Sequence, residues 1–208
     1  MIDVFTANTP NGIKIPIALE ELGLPYQVHM VALDAGAQRS PEFLAINPNG
    51  RIPAIVDRLA DSAVDLPVFE SGAILLHLAD TYGGLIGTTL AARAATLGWL
   101  FLQVAGLGPN FGNSVHFLRN DPANVVAITR FQEEARRHLA LVDHRLSIFD
   151  WLNGESFSIA DIAHFCWIRS AAYVGLDLAD FPAAMAWAER IEARPAVSRG
   201  LDACSVPE

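Results

Sequence analysis

The feature that most constrains this chain is a change of rhythm at Gly83-Gly84. Before it, short apolar runs alternate with helical spacings; after it, only helical spacings occur. Ile2 to Phe5 is an apolar run ending in a Thr/Asn/Pro/Gly cluster, the pattern of a strand entering a loop. Ile13, Ile17, Leu19 and Leu22 then predict a helix after Asn11, closed by Gly23 and strained by Pro16 in its second turn. Tyr26 to Leu33 reads as a strand, Pro41 to Ile46 as a short helical turn, and Ile52 to Val56 with Val68-Phe69 as a hairpin. A helix over Ser71 to Tyr82 ends the series. The order β-α-β then β-β-α predicts a small α/β sandwich over 1–83, with Gly83, Gly84 and Gly87 as the linker.

From 88 to 208 the spacing predicts an all-helical domain, with helices near Thr88 to Phe117, Ser158 to Val174 and Pro182 to Arg194. Between the first two, Ile128, Phe131, Leu139, Val142, Leu146 and Phe149 form one stripe, with Arg130, Glu133, Glu134 and Arg137 between them. The first helix is expected to bend at Gly106-Leu107-Gly108-Pro109. Phe157-Ser158-Ile159-Ala160-Asp161-Ile162 carries a capping box inside a hydrophobic staple, a folding signal rather than a catalytic one.

Composition narrows the function classes. A net charge of -9 without a Lys/Arg run argues against nucleic acid as a partner. The most apolar stretch, around Leu97 to Leu107, is short and interrupted by Gly98 and Gly106, so no membrane partner is expected. Cys166 and Cys204 are far apart, with no CxxC pair, which fits a reducing compartment. The N-terminus has no signal-peptide pattern, and a cytoplasmic location is expected. The six histidines are scattered, and no metal site is expected.

Three places in the first domain can carry chemistry. Thr9-Pro10-Asn11-Gly12 joins a strand to a helix, where a hydroxyl and an amide either hold an anion with the helix-start N–H groups or simply cap. Asn47-Pro48-Asn49-Gly50-Arg51-Ile52-Pro53 ends at a proline entering a strand. Ile52-Pro53 is either an ordinary strand start or edge, or a cis turn that directs the Ile52 backbone outward to pair with an extended peptide. Glu70-Ser71-Gly72 joins a strand to a helix. Ser71 reads as its N-cap, and the pair is either a plain cap or a receptor for an ammonium and a carboxylate together.

The order and spacing of these elements resemble the glutathione site of glutathione transferases. That resemblance implies a thioredoxin-like first domain and the family's all-helical second domain, whose central helix opens on the same Ser158–Asp161 box. The opening Met1-Ile2-Asp3 with Thr9-Pro10-Asn11-Gly12, the run Phe69-Glu70-Ser71-Gly72-Ala73-Ile74-Leu75-Leu76, and Trp99-Leu100-Phe101, Gln103-Val104 and Gly106-Leu107-Gly108-Pro109 are similar to the nu-class branch. Its members are glutathione-dependent disulfide-bond reductases, similar also to the glutathione-binding domain of a nitrogen-regulator prion protein. The resemblance implies glutathione as co-substrate, Thr9 and Asn11 facing its sulfur as the catalytic pair, and Gln38, Ile52, Glu70 and Ser71 holding the tripeptide after a cis Pro53. It implies a homodimer in which Arg130 reaches the site. Arg51 is either a charge for the glycyl end or a solvated surface arginine. Relatives carry a glutamine where this chain has Gly98, which removes one polar contact. A small-molecule disulfide is the implied partner. Conjugation to an electrophile, reduction of a peroxide, and glutathione binding by a regulatory module are the alternatives.

Overall fold

A computed structural model describes residues 1–59 and 64–205. Residues 60–63 and 206–208, assigned above to the first and second domain, lie outside the described residues. The chain divides into two units, Met1–Leu85 with Ala193 onward, and Ile86–Glu192.

In the first unit, strand β1 (Ile2–Thr6) pairs in parallel with β2 (Tyr26–Met30) and antiparallel with β3 (Ala54–Asp57). β3 pairs antiparallel with β4 (Leu66–Phe69), giving the order β2-β1-β3-β4. Helix α1 (Lys14–Leu22) makes the crossover between the parallel pair, as a parallel connection requires. Pro16 costs this helix nothing. It is the third residue of the first turn, where the N–H has no intrahelical partner, and the first i→i−4 bond is that of Ile17 to Ile13. Gly23 closes α1 in the left-handed conformation, at φ 64°. The strand expected to run to Leu33 stops at Met30; Val31 N–H still donates to Thr6 C=O of β1, and the turn begins at Ala32, whose C=O accepts from Ala35 N–H.

Helix α2 (Pro41–Ile46) is capped by Ser40, whose hydroxyl accepts from Phe43 N–H. Helix α3 (Ser71–Tyr82) follows β4. Ile2, Val4, Ile15, Ile17, Leu19, Ile55, Ile74, Leu75 and Leu78 are fully buried where the sheet meets α1 and α3. Each such side chain contributes roughly 1.5–3 kcal/mol by leaving water. Buried Asp57, at the end of β3, accepts from Tyr82 Oη at 2.7 and 2.8 Å and lies 2.8 Å from His77 Nε2, tying α3 to the sheet.

The last helix of the chain also belongs to this unit. Its segment Pro195–Asp202 lies along α1 so closely that a Cβ on Gly200 would sit 2.6 Å from the Ile17 backbone. Arg194 clamps Glu21 with bonds of 2.6 and 2.7 Å, and Arg199 reaches Glu20 at 2.6 Å. The Arg199 contact is the leading cause that holds the Glu20 carboxyl below its ordinary range.

The second unit contains α4 (Leu90–Leu102), α5 (Gly108–Asn120), α6 (Val125–Leu146), α7 (Ile159–Ile168) and α8 (Pro182–Glu192); the Pro195–Asp202 helix is numbered α9. A π-helical turn, Gln103–Leu107, joins α4 to α5 at the expected bend, so the helix passes through Gly98 and Gly106 without breaking. The run Leu90–Asn120 is therefore long and apolar enough to cross a membrane by length and composition alone; here it packs against α6 and α7. The α6 stripe buries Leu139 and Val142 with Ala135. Phe149 falls beyond the helix end and lies under the Arg145 guanidinium. The helix expected to reach Val174 ends at Ile168 and gives way to a 3-10 turn over Ala171–Val174.

Asp161 is the polar centre of this unit. Fully buried, it accepts from Leu152 N–H at 3.0 Å, Trp187 Nε1 at 3.1 Å, Ser158 N–H at 3.0 Å and Ser158 Oγ at 2.8 Å, completing the capping box. Burial outweighs these bonds and pushes its carboxyl up to about 6 from the ordinary 3.8. The folded state therefore holds a proton that the unfolded chain releases between these two values, and stability from this group falls as pH rises through that window. Asp161→Asn, which cannot titrate and turns an NH2 toward two donors whichever oxygen it replaces, should be less stable than the parent. Its deficit should shrink by about 2 kcal/mol between pH 4 and pH 7, measured as the difference between urea titrations of the two proteins.

Candidate functional site

The sheet brings three loops to one end. β1 and β4 both run antiparallel to β3, so the C-terminal ends of β1 and β4 lie beside the N-terminal end of β3, through Phe5, Ala54 and Phe69. Residues 7–13, 47–53 and 70–71 leave or enter the strands at this end. They enclose a cavity of about 380 Å³, lined by Thr9, Asn11, Leu33, Gln38, Asn49, Gly50, Arg51, Ile52, Pro53, Glu70 and Ser71. Eight of the nine residues singled out in the sequence are among them. The ninth, Arg130, lies on α6 in the helical unit, paired with Glu134 at 3.2 Å.

The first loop is tightly wound. Thr9 Oγ1 accepts from Gly12 N–H at 3.1 Å, and Ile13 N–H donates to Thr9 C=O at 3.1 Å. Neither Asn11 nor Thr9 is the N-cap of α1; that position is Ile13, with a helical backbone and no side-chain cap. Because the Thr9 oxygen accepts from Gly12, its own proton can still be donated elsewhere. Gly12 is required by contact, since a Cβ there would lie 2.0 Å from Ala7 O and 2.6 Å from Thr6 Oγ1.

The second loop is held by Asn47, which is almost fully buried. Its Nδ2 donates to Arg51 C=O at 2.5 Å, its Oδ1 accepts from Asn49 N–H at 2.9 Å, and its C=O accepts from Gly50 N–H at 3.0 Å. The Ile52-Pro53 bond is cis, the second of the alternatives left open by the sequence.

At the third place Ser71 is the first helical residue rather than the cap, which is Glu70. Glu70 takes φ 69°, ψ 119°, a conformation costly for a non-glycine residue and found where surrounding structure enforces it. Asn49 Nδ2 reaches Glu70 Oε1 at 3.3 Å, and so joins the second loop to the third. The first-turn N–H groups of α3 and the Ser71 hydroxyl suit a carboxylate, while Glu70 suits an ammonium.

Two further features escaped the sequence reading. Lys14 is fully buried, with Nζ donating to Asn11 Oδ1 at 2.8 Å and to Ser71 Oγ at 3.2 Å. Gln38 Oε1 is a buried acceptor without a hydrogen-bond partner among the described residues, on a side chain that lines the cavity. Such an atom is costly unless a ligand or water donates to it. No cysteine lines the cavity among the described residues. Cys204 is buried after α9, where burial pushes its thiol up to about 11, and Cys166 is buried within α7. The arrangement therefore offers donors, one carboxylate and one peptide edge, and no cysteine thiol among the described lining residues.

The sequence matches the model of the glutathione S-transferase N-terminal domain over residues 2–80 and that of the C-terminal domain over residues 124–195. It is 47% identical to the Escherichia coli disulfide-bond oxidoreductase YfcG, over 97% of this chain and 94% of that protein. A glutathione transferase family member from Pseudomonas fluorescens, solved with two glutathione bound, superposes with a TM-score of 0.90 at 40% identity over 96% of this chain and 92% of that one. A glutathione transferase from Pseudomonas putida, with one glutathione disulfide bound per subunit, has the same score at 38% identity, covering 96% and 90%.

The Gly12 contact gives a test of the loop. Gly12→Ala must displace the backbone of Ala7 or the loop itself, and should destabilise the protein by about 1–3 kcal/mol, seen as a lowered urea midpoint.

Proposed function

Because this chain belongs to the glutathione S-transferase family, we propose that it is a glutathione-dependent disulfide-bond oxidoreductase of the nu-class type. Thr9 and Asn11 stabilise the thiolate of glutathione held in the cavity of the thioredoxin-like unit. The observation that carries the proposal is a cavity with polar donors at the start of α1 and no cysteine among its described lining residues. The reactive sulfur then comes from the co-substrate. YfcG is named for the same activity, and the Pseudomonas structures hold either two glutathione molecules or one glutathione disulfide.

The donor set fits the tripeptide. Glu70 takes the γ-glutamyl ammonium, and Ser71 with the α3 N-terminus takes its carboxylate. Ile52, ahead of cis Pro53, pairs through its backbone with the cysteinyl residue. Gln38 Oε1 accepts a tripeptide N–H, which satisfies its orphaned oxygen. Arg51 meets the glycyl carboxylate. Bound glutathione supplies a thiolate that exchanges with a substrate disulfide, and a second glutathione completes the product. The balance is two thiols oxidised to one glutathione disulfide and one substrate disulfide reduced to two thiols.

Thr9 donates its hydroxyl proton to the sulfur, and Asn11 an amide proton. Each unit by which they lower the thiol pKa corresponds to about 1.4 kcal/mol of preference for the thiolate. The same reading makes the protein a cytoplasmic homodimer of chains with sequence domains near 1–83 and 88–208, the last stretch of the second folding back onto the first unit, and in it Arg130 reaches the assembled site. It rests on the likeness of the Thr9–Gly12 and Gly106–Pro109 strings to the nu-class branch.

Thr9→Ala/Asn11→Ala should lower glutathione-dependent reduction of a small disulfide by about 100-fold, followed through coupled regeneration of glutathione, with the fold unchanged by circular dichroism. An undiminished rate would remove both residues from the reaction. Conjugation of chlorodinitrobenzene far outpacing disulfide reduction in the parent would move the activity to transfer.

A further inference from the structure

Asparagine ends in an oxygen and a nitrogen of nearly equal size and opposite hydrogen-bond polarity, so which one faces a ligand decides whether the residue donates or accepts. At Asn11 the choice is made from beneath. The Lys14 ammonium carries only donors, and its Nζ lies 2.8 Å from the Asn11 side chain in a fully buried position. Only Oδ1 can face it, because the reversed amide would set N–H against N–H⁺ away from water. With the oxygen committed to Lys14, the Nδ2 branch is the other arm of a side chain that lines the cavity. The same ammonium reaches Ser71 Oγ at 3.2 Å, which occupies that oxygen as acceptor and directs the hydroxyl proton outward. One buried cation thus sets the polarity of two cavity groups carried by different elements.

We infer that Lys14 is a positioning residue that locks Asn11 and Ser71 as donors toward the cavity, so that the site presents hydrogens to the glutathione sulfur and the γ-glutamyl carboxylate. The inference rests on the glutathione reading of the cavity. Lys14 acts through Asn11, with its charge adding to the same preference for an anion at low effective dielectric. The charged side chains lining the cavity among the described residues are Arg51 and Glu70. Glu20 and Glu21, farther along α1, are taken up by Arg199 and Arg194 of the α9 segment, and His77 on α3 faces Asp57.

The test reads the thiolate of bound glutathione by its ultraviolet absorbance across pH, in the full-length protein, with calorimetry for binding. Lys14→Met, close to isosteric, should raise the pH midpoint of thiolate formation by about one unit, a tenfold loss of thiolate at fixed pH, and Lys14→Arg should recover part of it. In an Asn11→Ala background the Lys14→Met shift should shrink to the part that the charge alone supplies. Asn11→Asp keeps an acceptor for Lys14 but turns oxygen toward the sulfur, and should raise the midpoint at least as far. A folded Lys14→Met protein with lowered thermal stability and an unmoved midpoint would overturn the inference while leaving glutathione chemistry intact. If Lys14→Met does not fold, Asn11→Asp decides, and an unmoved or lowered midpoint counts against the inference. A parent protein that binds no glutathione by calorimetry would instead remove the reading on which both rest.

Discussion

Everything at the site depends on strand β1 being paired on both sides. Its parallel bond to β2 forces a crossover, and that crossover is α1, whose first turn lies next to Thr9 and Asn11. Its antiparallel bond to β3, and that of β3 to β4, bring Pro53 and Glu70 to the same end of the sheet. The cavity is therefore a product of strand direction before it is a product of any side chain. Loops separated by some sixty residues meet because the ladder leaves them no other place to go.

Much of this could be read along the chain, because the signals involved are local. Strand and helix periods, the glycine closing α1 and the Ser158–Asp161 box are each settled within a few residues of themselves. The three site segments could likewise be found from turn and cap chemistry. What escaped were features with remote causes. Lys14 occupies a helix start and looks like any polar position there; its second partner, Ser71, is 57 residues away. The left-handed backbone of Glu70 follows from how β4 hands over to α3, and glutamate itself gives no hint of it. Pro16 looked disruptive because the helix was started too early by its apolar spacing; the first hydrogen bond begins one residue after the proline.

The polar economy of the cavity differs from that of an enzyme with its own nucleophile. Thiol chemistry needs only that an anion be welcomed. On the proposed reading, hydroxyl and amide donors do this in place of a protein thiol. Asn47 serves the neighbouring loop in the same manner, spending both ends of its amide on backbone partners so that the peptide edge at Ile52 is presented in one shape.

The packing of α9 on α1 has a consequence for how the protein is made. Glu21 waits for Arg194, and Glu20 for Arg199, partners 173 and 179 positions downstream. On a ribosome the sheet and its first helices emerge early, yet one face of α1 stays uncovered until the whole helical unit has been synthesised. The unit that is translated first is thus completed last, and through that interval its exposed helix face is the surface a chaperone would meet.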